Sequence, residues 1–478
     1  MKRLDLVRSR INEIKLQGCP GVGVANCTKD KTLIWMIGSV LLVLVVGLVG
    51  RHGTNVLEKS AFFDEGNIRV PIDNLVADGW SVSRAIDFEE TKGPAMIWTY
   101  AVWGSLLGGD LNSLRLLSVL FFILGVVPLL LICKRCGLRG PQLPLAAGLY
   151  VLLPYNTALA QLLMSESSFV FGSLCLTYLF MWGFGTTTDT QRRVLGPVLF
   201  GVMLSILLHH RIHAVAFAGG ACLVAFERDR VRSWPWWLAC VAAGLSRVPL
   251  WIRWGGLVSP QYQGAHDLGF GLESVTYLAA ALLPVTAVFL WPALTDARHR
   301  TRRWLVWVGA ATGLGLGLLA SPSMVETLAY LDNEPRRFLG IVNSAIQTVS
   351  SAPTAHWIML LALATAGAAS LGALTAIAWQ YRVTSPRGMI MRLQLLTIVT
   401  GSGLYAATHS GVYDRYILPW VVLTPILWMA ALRRWMLTAQ ILALAAILGW
   451  MTWNLLLRMP ESTAPATEAM RALSVPAR

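Results

Sequence analysis

Charged residues and cysteine are both scarce in this chain. Only 13% of its 478 residues are charged and 55% are hydrophobic, which excludes an ordinary soluble domain. The seven cysteines lie in basic segments or in apolar runs, a placement that argues against a disulfide framework. The Cys133-x-x-Cys136 pair lacks the two further ligands that a zinc site needs nearby. A basic stripe interleaved with aromatic residues is also missing, so the net charge of +14 does not indicate a nucleic-acid partner.

The N-terminal region lacks the pattern of a cleavable signal peptide. A basic tail of about 32 residues precedes the first apolar run, which is typical of a signal anchor. We expect residues 1–32 to form a cytoplasmic tail and residues 33–456 to form a single membrane domain. Residues 457–478, rich in Ala, Pro and Ser/Thr, are expected to be a short disordered tail.

Long apolar runs make up most of the remaining sequence. Runs of this length predict transmembrane helices. The expected fold is therefore an all-α polytopic membrane protein with about thirteen spans, and the soft edges of the runs allow eleven to fourteen. The runs are 33–50, 114–133, 141–160, 167–183, 194–208, 213–226, 235–252, 274–292, 304–320, 357–379, 390–408, 416–432 and 435–456.

The distribution of charge agrees with thirteen spans and a cytoplasmic N-terminus. With that topology the inside segments carry 23 of the 39 basic residues, and the outside segments carry 18 of the 25 acidic residues. Basic residues collect in cytoplasmic loops because of the positive-inside rule, and they also favour contact with anionic lipid. We therefore expect a multi-pass protein of the cell membrane, of bacterial inner-membrane type.

The first outer segment, residues 51–113, is long enough to be structured. Its apolar and aromatic stretch 94–108 is short for a span, and counting it as one would reverse the charge of every later loop. It is predicted to be an amphipathic helix in the membrane interface. Residues 67–86 are predicted to form a second surface helix, broken near Asp78 and Gly79.

Carboxylates and cations collect on this predicted outer face. A site of this kind suits an amphiphile with a phosphate head, because Lys and Arg hold phosphate and a carboxylate can act as a general base. A lipid-linked phosphate leaves readily when cations stabilise its charge, so one base suffices for displacement with inversion. The residues are Asp64, Glu65, Lys92, Arg115, Glu166, the cluster His209-His210-Arg211-Ile212-His213, and Arg415.

The order of these residues resembles the GT-C superfamily of integral-membrane glycosyltransferases. The most similar branch holds the lipid A aminoarabinose transferase and the protein O-mannosyltransferases. The matching motifs are Phe63-Asp64-Glu65-Gly66, Lys92-Gly93-Pro94, Leu114-Arg115-Leu116, Ser165-Glu166-Ser167, His210-Arg211 and Arg415-Tyr416-Ile417-Leu418-Pro419. The resemblance covers residues 30–230 and is vague from 230 to 400.

The resemblance implies a GT-C fold and sugar transfer from a polyprenyl-phosphate donor to a lipid, glycan or protein acceptor at the outer face. Asp64 would be the general base or orient the acceptor, and Glu166 would assist it. Glu65 is a second catalytic candidate or holds the loop in place. The donor phosphate would be held by Lys92 and by Arg211 or His210, with Arg115 or Arg415 nearby.

Two questions remain open at the level of sequence: whether the protein is a transporter instead, and whether it binds a metal ion. A transporter or flippase for a lipid-linked sugar would also need cations for the phosphate, but it would need polar residues through the full depth of the bilayer. Here charges are scarce at mid-depth.

No cofactor is firmly expected. A divalent cation on the carboxylates is possible, because some GT-C enzymes use one, and His209 and His213 have the i, i+4 spacing of a helical metal pair.

Overall fold

The described part of the computed structural model is helical. It comprises residues 25–53, 61, 64–88, 90, 92–184, 190–260, 271–320, 342, 346, 349, 352–407, 417–427, 429, 432 and 434–451. No strand occurs among these residues, so the prediction of an all-α fold is confirmed. The predicted C-terminal tail and most of the N-terminal tail lie outside the described residues.

Twenty α-helices lie within these ranges. In the first half of the chain they are α1 (Ala25–Gly53), α2 (Asp64–Ala77), α3 (Val82–Ile86), α4 (Pro94–Leu107), α5 (Leu111–Arg135), α6 (Gln142–Leu152), α7 (Pro154–Ala160), α8 (Ser165–Phe184), α9 (Thr190–His210) and α10 (Val215–Arg228). In the second half they are α11 (Trp234–Leu245), α12 (Val248–Trp254), α13 (Leu272–Thr286), α14 (Leu290–Thr295), α15 (Trp304–Leu319), α16 (Pro353–Ala378), α17 (Pro386–Ala406), α18 (Leu418–Val421), α19 (Thr424–Leu427) and α20 (Arg434–Met451).

Seven helical stretches in the described part of the chain are long and apolar enough to cross a membrane, which makes this a multi-pass membrane protein. They are Thr32–His52, Leu111–Arg135, Ser165–Phe184, Gln191–His210, Leu272–Thr295, Thr354–Ala378 and Pro386–Ala406.

The other six predicted runs also fall on helices, but these are shorter or broken. The run 141–160 is divided at Leu153, directly before Pro154, and the run 235–252 is divided between Leu245 and Val248, next to Pro249. Proline at these points removes a backbone donor and starts a new helix. The count of thirteen spans stays a prediction.

The first outer segment folds as a shelf with its own small core. Helices α2 and α4 pack together through Ile72 and Tyr100, and the same apolar cluster includes Leu114 at the head of α5 and Trp254 at the end of α12. The predicted break near Asp78 and Gly79 is present, since α2 ends at Ala77 and α3 begins at Val82.

Helix α4 coincides with the predicted interfacial helix at 94–108, but its amphipathic pattern is weak. One face is buried in the shelf core through Met96, Ile97 and Tyr100. The opposite face exposes the apolar Val102 and Leu106 beside Thr99, rather than a polar surface. A helix that exposes apolar side chains away from its core suits contact with the membrane.

Close backbone contact joins α15 to α16. Gly309, Gly313 and Gly317 recur at every fourth residue and so share one face of α15. A methyl group placed on Gly309 would lie 2.3 Å from the carbonyl oxygen of Ala368 on α16. Small residues at four-residue intervals allow membrane helices to approach in this way.

We predict that Gly309→Ala lowers the stability of the folded protein by about 1–3 kcal/mol, because the added methyl group overpacks the α15–α16 contact. Thermal unfolding of the purified protein in detergent measures the change. Gly315→Ala is the matched control on the same helix, because no atom lies within 4 Å of its added carbon. Equal unfolding temperatures for Gly309→Ala and Gly315→Ala would contradict the prediction that the α15–α16 contact has no room for a methyl group at residue 309.

Candidate functional site

Asp64 and Glu65 begin helix α2, and their side chains have different partners. Glu65 is fully buried and forms a bidentate ion pair with Arg115, which is also fully buried. Arg115 Nε donates to Glu65 Oε1 at 2.9 Å, and Nη2 donates to Oε2 at 2.7 Å. The backbone N–H of Leu163 also donates to Glu65 Oε1 at 2.6 Å. Glu65 thus connects α2, the head of α5 and the turn before α8.

Asp64 is the more accessible of the two carboxylates, with a quarter of its side chain exposed. Lys92 Nζ donates to Asp64 Oδ2 at 2.9 Å and lies 3.1 Å from Glu90 Oε1. Lys92 and Glu90 are both buried. Ser259 donates its hydroxyl to the Glu90 carbonyl at 2.9 Å, which fixes this stretch against the segment after α12. One ammonium group therefore lies between two carboxylates.

Gly93 places Lys92 against the end of α9. Its N–H donates to the carbonyl of His210 at 2.9 Å. A side-chain carbon on residue 93 would lie 1.9 Å from the carbonyl oxygen of His209, so the contact requires glycine. Because Lys92 precedes Gly93 and Arg211 follows His210, this backbone contact brings the two cationic segments together.

A second ion pair lies at this junction. Arg211 Nη2 donates to Glu166 Oε1 at 2.9 Å, and both side chains are buried. His210 Nε2 lies 2.7 Å from the Ser168 hydroxyl, and its ring stacks on Phe169 at 5.7 Å between centroids. Helix α8 therefore holds both residues of the predicted His210-Arg211 motif.

Tyr100 connects the shelf to the same region. Its hydroxyl lies 2.8 Å from the Ser118 hydroxyl and donates to the Met164 carbonyl at 3.4 Å. Burial raises the pKa of the Tyr100 phenol, so the group stays protonated. Together with the contact from Leu163 to Glu65, this bond fixes the turn that leads into Glu166.

The structure thus collects most of the residues chosen from the sequence at one end of the helices. They form three ion pairs: Asp64 with Lys92, Glu65 with Arg115, and Glu166 with Arg211. Arg415 lies outside the described residues.

The three histidines of the cluster face different partners. His209 Nδ1 lies 2.9 Å from the Ser205 carbonyl, one turn earlier in its own helix. His213 stacks on Tyr405, with 5.1 Å between the ring centroids. His210 instead contacts Ser168. In the described part of the chain, no group of three or more His, Cys, Asp or Glu side chains is arranged to hold a metal ion.

Sequence reasoning missed Glu90 and Tyr100 as members of this site. Glu90 lies two residues before Lys92, and this spacing was the available signal. Tyr100 gave no signal, because an aromatic residue in an apolar helix is ordinary.

Arg247 is a further buried cation near the site. It is 1% exposed at the break between α11 and α12, and Nε and Nη1 have no hydrogen-bond partner among the described residues. Its guanidinium lies 5.9 Å from the ring of Trp254. The neighbouring Ser246 hydroxyl lies 2.7 Å from that of Ser205, the residue whose carbonyl contacts His209. Arg247 therefore lies beside the last turns of α9.

Comparison with known proteins gave structural neighbours only. No protein-family model matches the chain, and no curated protein matches it. The structure is similar to the crystal structure of ArnT from Cupriavidus metallidurans bound to undecaprenyl phosphate, with 15% identity, a TM-score of 0.43 and coverage of 87% of this chain and 77% of that chain. The apo state of the same protein gives a TM-score of 0.41.

A second neighbour is the apo oligosaccharyltransferase from Archaeoglobus fulgidus. It is 13% identical, with a TM-score of 0.40 and coverage of 79% of this chain and 56% of that chain. These neighbours belong to the GT-C superfamily. It is the superfamily that the motif order resembles.

We predict that Arg115→Met destabilises the protein by about 3–5 kcal/mol, because it leaves the Glu65 carboxylate buried without its arginine. The double variant Arg115→Met/Glu65→Gln should recover most of this loss, since the amide oxygen still accepts from Leu163. Unfolding in detergent by heat or denaturant measures both.

Arg69→Met is the matched control for loss of an arginine in an ion pair. Arg69 pairs with Asp73 on the exposed side of α2, where such pairs contribute little. If the double variant were no more stable than Arg115→Met, the buried charge of Glu65 would not be the cause of the destabilisation.

Proposed function

We propose that this chain is a membrane glycosyltransferase that moves a sugar from a polyprenyl-phosphate donor to an acceptor at the outer face of the membrane. The observation that carries the proposal is the contact between Asp64 and Lys92 at 2.9 Å. A carboxylate that can accept a proton and a cation that can hold a phosphate meet at the edge of a membrane domain.

The two buried cations at this junction are suited to the donor phosphate. Lys92 lies between Asp64 and Glu90, and Arg211 is paired with Glu166. A phosphate that enters beside them can share these cations with the carboxylates through charge-assisted hydrogen bonds. The backbone contact between Gly93 and His210 keeps the two cations on adjacent segments.

Glu65 and Arg115 have a different part in this proposal. Each is fully buried, and together they form a bidentate pair. Neither side chain is placed to meet a substrate. We therefore assign them as positioning residues that hold the start of α2, in place of the catalytic and phosphate-binding roles that the resemblance implied.

In the reaction step, the acceptor hydroxyl or amine attacks the anomeric carbon of the donor sugar, opposite to the phosphate. Its proton passes to the Asp64 carboxylate as the new bond forms. The bond from the anomeric carbon to the phosphate oxygen breaks, and its electron pair stays on that oxygen. Lys92 and Arg211 stabilise the resulting charge, so the configuration inverts without a general acid.

Arg247 is a further candidate for the donor phosphate. Burying a guanidinium with unpartnered donor atoms is costly. An anion that enters beside the last turns of α9 would satisfy those donors. Binding of a phosphate would explain why Arg247 is buried, although its burial without such a partner lowers the stability of the folded protein.

The orientation of the site is part of the proposal. The predicted topology puts the N-terminus in the cytoplasm, so the shelf and its ion pairs face outward. The donor would then enter from the outer leaflet, and the acceptor would be a lipid, glycan or protein at the outer face of the membrane.

We expect Asp64→Asn to lower the rate of sugar transfer by about a hundredfold to ten-thousandfold, because the general base is lost. The assay uses membrane fractions and a panel of radiolabelled undecaprenyl-phosphate hexoses and pentoses. Asp73→Asn is the matched control, since Asp73 is a half-exposed carboxylate on the same helix and pairs with Arg69. Equal transfer by wild type and Asp64→Asn would remove Asp64 from the mechanism.

The rival function, transport or flipping of a lipid-linked sugar, predicts a different result. A transporter would move a labelled donor across the bilayer of proteoliposomes without changing it. If no donor in the panel gave sugar transfer and a labelled donor crossed the bilayer unchanged, the protein would be a transporter and not a glycosyltransferase.

We expect Arg247→Gln to weaken binding of undecaprenyl phosphate by about tenfold or more, because a charge-assisted hydrogen bond contributes about 1.5–3 kcal/mol. The unfolding temperature without ligand should not fall, since the variant removes a buried charge. Arg253→Gln is the control from the far end of α12, because Arg253 is exposed and paired with Asp87. Unchanged binding with a lowered unfolding temperature would indicate a structural role instead.

A further inference from the structure

Two adjoining cavities lie along α9 and begin at the end of the helix opposite to Arg211. One, of about 540 Å³, runs between α9 and α11. The other, of about 290 Å³, opens among the ends of α8, α10 and α11. Both are lined by Arg193, Trp234 and Pro235, so the two cavities adjoin at these residues, and together they are called the depression. Their shared end, at Arg193, lies at the other end of α9 from the proposed active site.

The larger cavity is an apolar groove. Its lining on α9 extends from Arg193 to Ser205. Twelve residues of helix rise about 18 Å, slightly more than half of the roughly 30 Å hydrocarbon thickness of a bilayer. Its length therefore matches one leaflet.

Small residues make the floor of the groove and exposed aliphatic residues make its walls. Gly201 on α9 lies against Ala239 on α11, where an added carbon would come within 3.2 Å of the alanine side chain. Val198, Val202 and Leu238 are all more than half exposed beside this contact. A narrow channel with such walls fits a single hydrocarbon chain.

The smaller cavity is the basic mouth of the groove. Arg193, Arg228 and Arg232 line it with one carboxylate, Asp229, which lies 3.4 Å from Arg232. The guanidinium of Arg228 lies 5.0 Å from the ring of Phe184, which holds it at the mouth. Cations outnumber carboxylates here, so the mouth favours an anion.

We infer that this depression is a binding site for an anionic phospholipid of the leaflet opposite to the proposed active site. The phosphate of the headgroup lies among the three arginines, and one acyl chain lies in the groove between α9 and α11. The charge of the mouth selects an anion, and the length and apolar lining of the groove select an acyl chain. The inference does not depend on the proposed function.

The test measures unfolding of the full-length protein in detergent with added dioleoylphosphatidylglycerol or dioleoylphosphatidylcholine. We expect the anionic lipid to raise the unfolding temperature saturably by about 3 °C or more beyond the neutral lipid. Arg193→Gln/Arg232→Gln should abolish the difference between the lipids. Ala242→Phe, which places a ring in the groove, should abolish it without removing charge.

Arg139→Gln/Arg230→Gln is the matched control, because it removes two basic residues that line neither cavity. An equal loss of lipid preference in this control would reveal diffuse surface charge and overturn the site. Equal stabilisation by both lipids in the wild type would also overturn it. A response to undecaprenyl phosphate that depends on Arg193 and Arg232, with none to phosphatidylglycerol, would show that the occupant is not a phospholipid.

Discussion

The buried ion pair between Glu65 and Arg115 is the constraint on which the rest of the site depends. Two charges removed from water are costly unless their geometry and additional hydrogen bonds compensate for desolvation. Here the pair is bidentate, and the N–H of Leu163 supplies a third hydrogen bond to the carboxylate. Asp64 is adjacent to Glu65 along the chain, and Glu166 follows Leu163 by three residues. One structural pair therefore sets the positions of both carboxylates that the proposed chemistry uses.

A backbone contact supplies the second constraint. The bond from Gly93 to His210 joins a loop of the shelf to the end of a long membrane helix, and any side chain at residue 93 would prevent it. Lys92 and Arg211 flank this bond and are each paired with carboxylates. Cations held in this way are preorganised, so a phosphate that enters requires little rearrangement of the protein.

Hydrophobic runs and charge bias predicted the all-α fold and the helices of the outer segment, because both signals are local in the sequence. The partners within the site could not be predicted in the same way. Arg115 is fifty residues from Glu65, and apolar periodicity says nothing about which of two adjacent carboxylates points inward. Consecutive residues of a helix point in directions about 100° apart, so Asp64 and Glu65 necessarily diverge. Only the tertiary packing of α2 against the shelf core decides which one is buried. The burial of Arg247 could not be predicted either, because the break between α11 and α12 at which it is buried is a tertiary feature.

Three arginines show that basic residues, which composition counts together, have three different uses according to their burial. At one end of α9 Arg211 is buried and paired with Glu166, which suits it to share its charge with a ligand. At the other end Arg193 is exposed beside an apolar groove, which suits it to a lipid headgroup. Arg115, on α5, is fully buried in a bidentate pair and holds the fold. The net charge of +14 is thus the sum of structural, ligand-binding and lipid-facing cations. Burial and partners, rather than residue type, distinguish them.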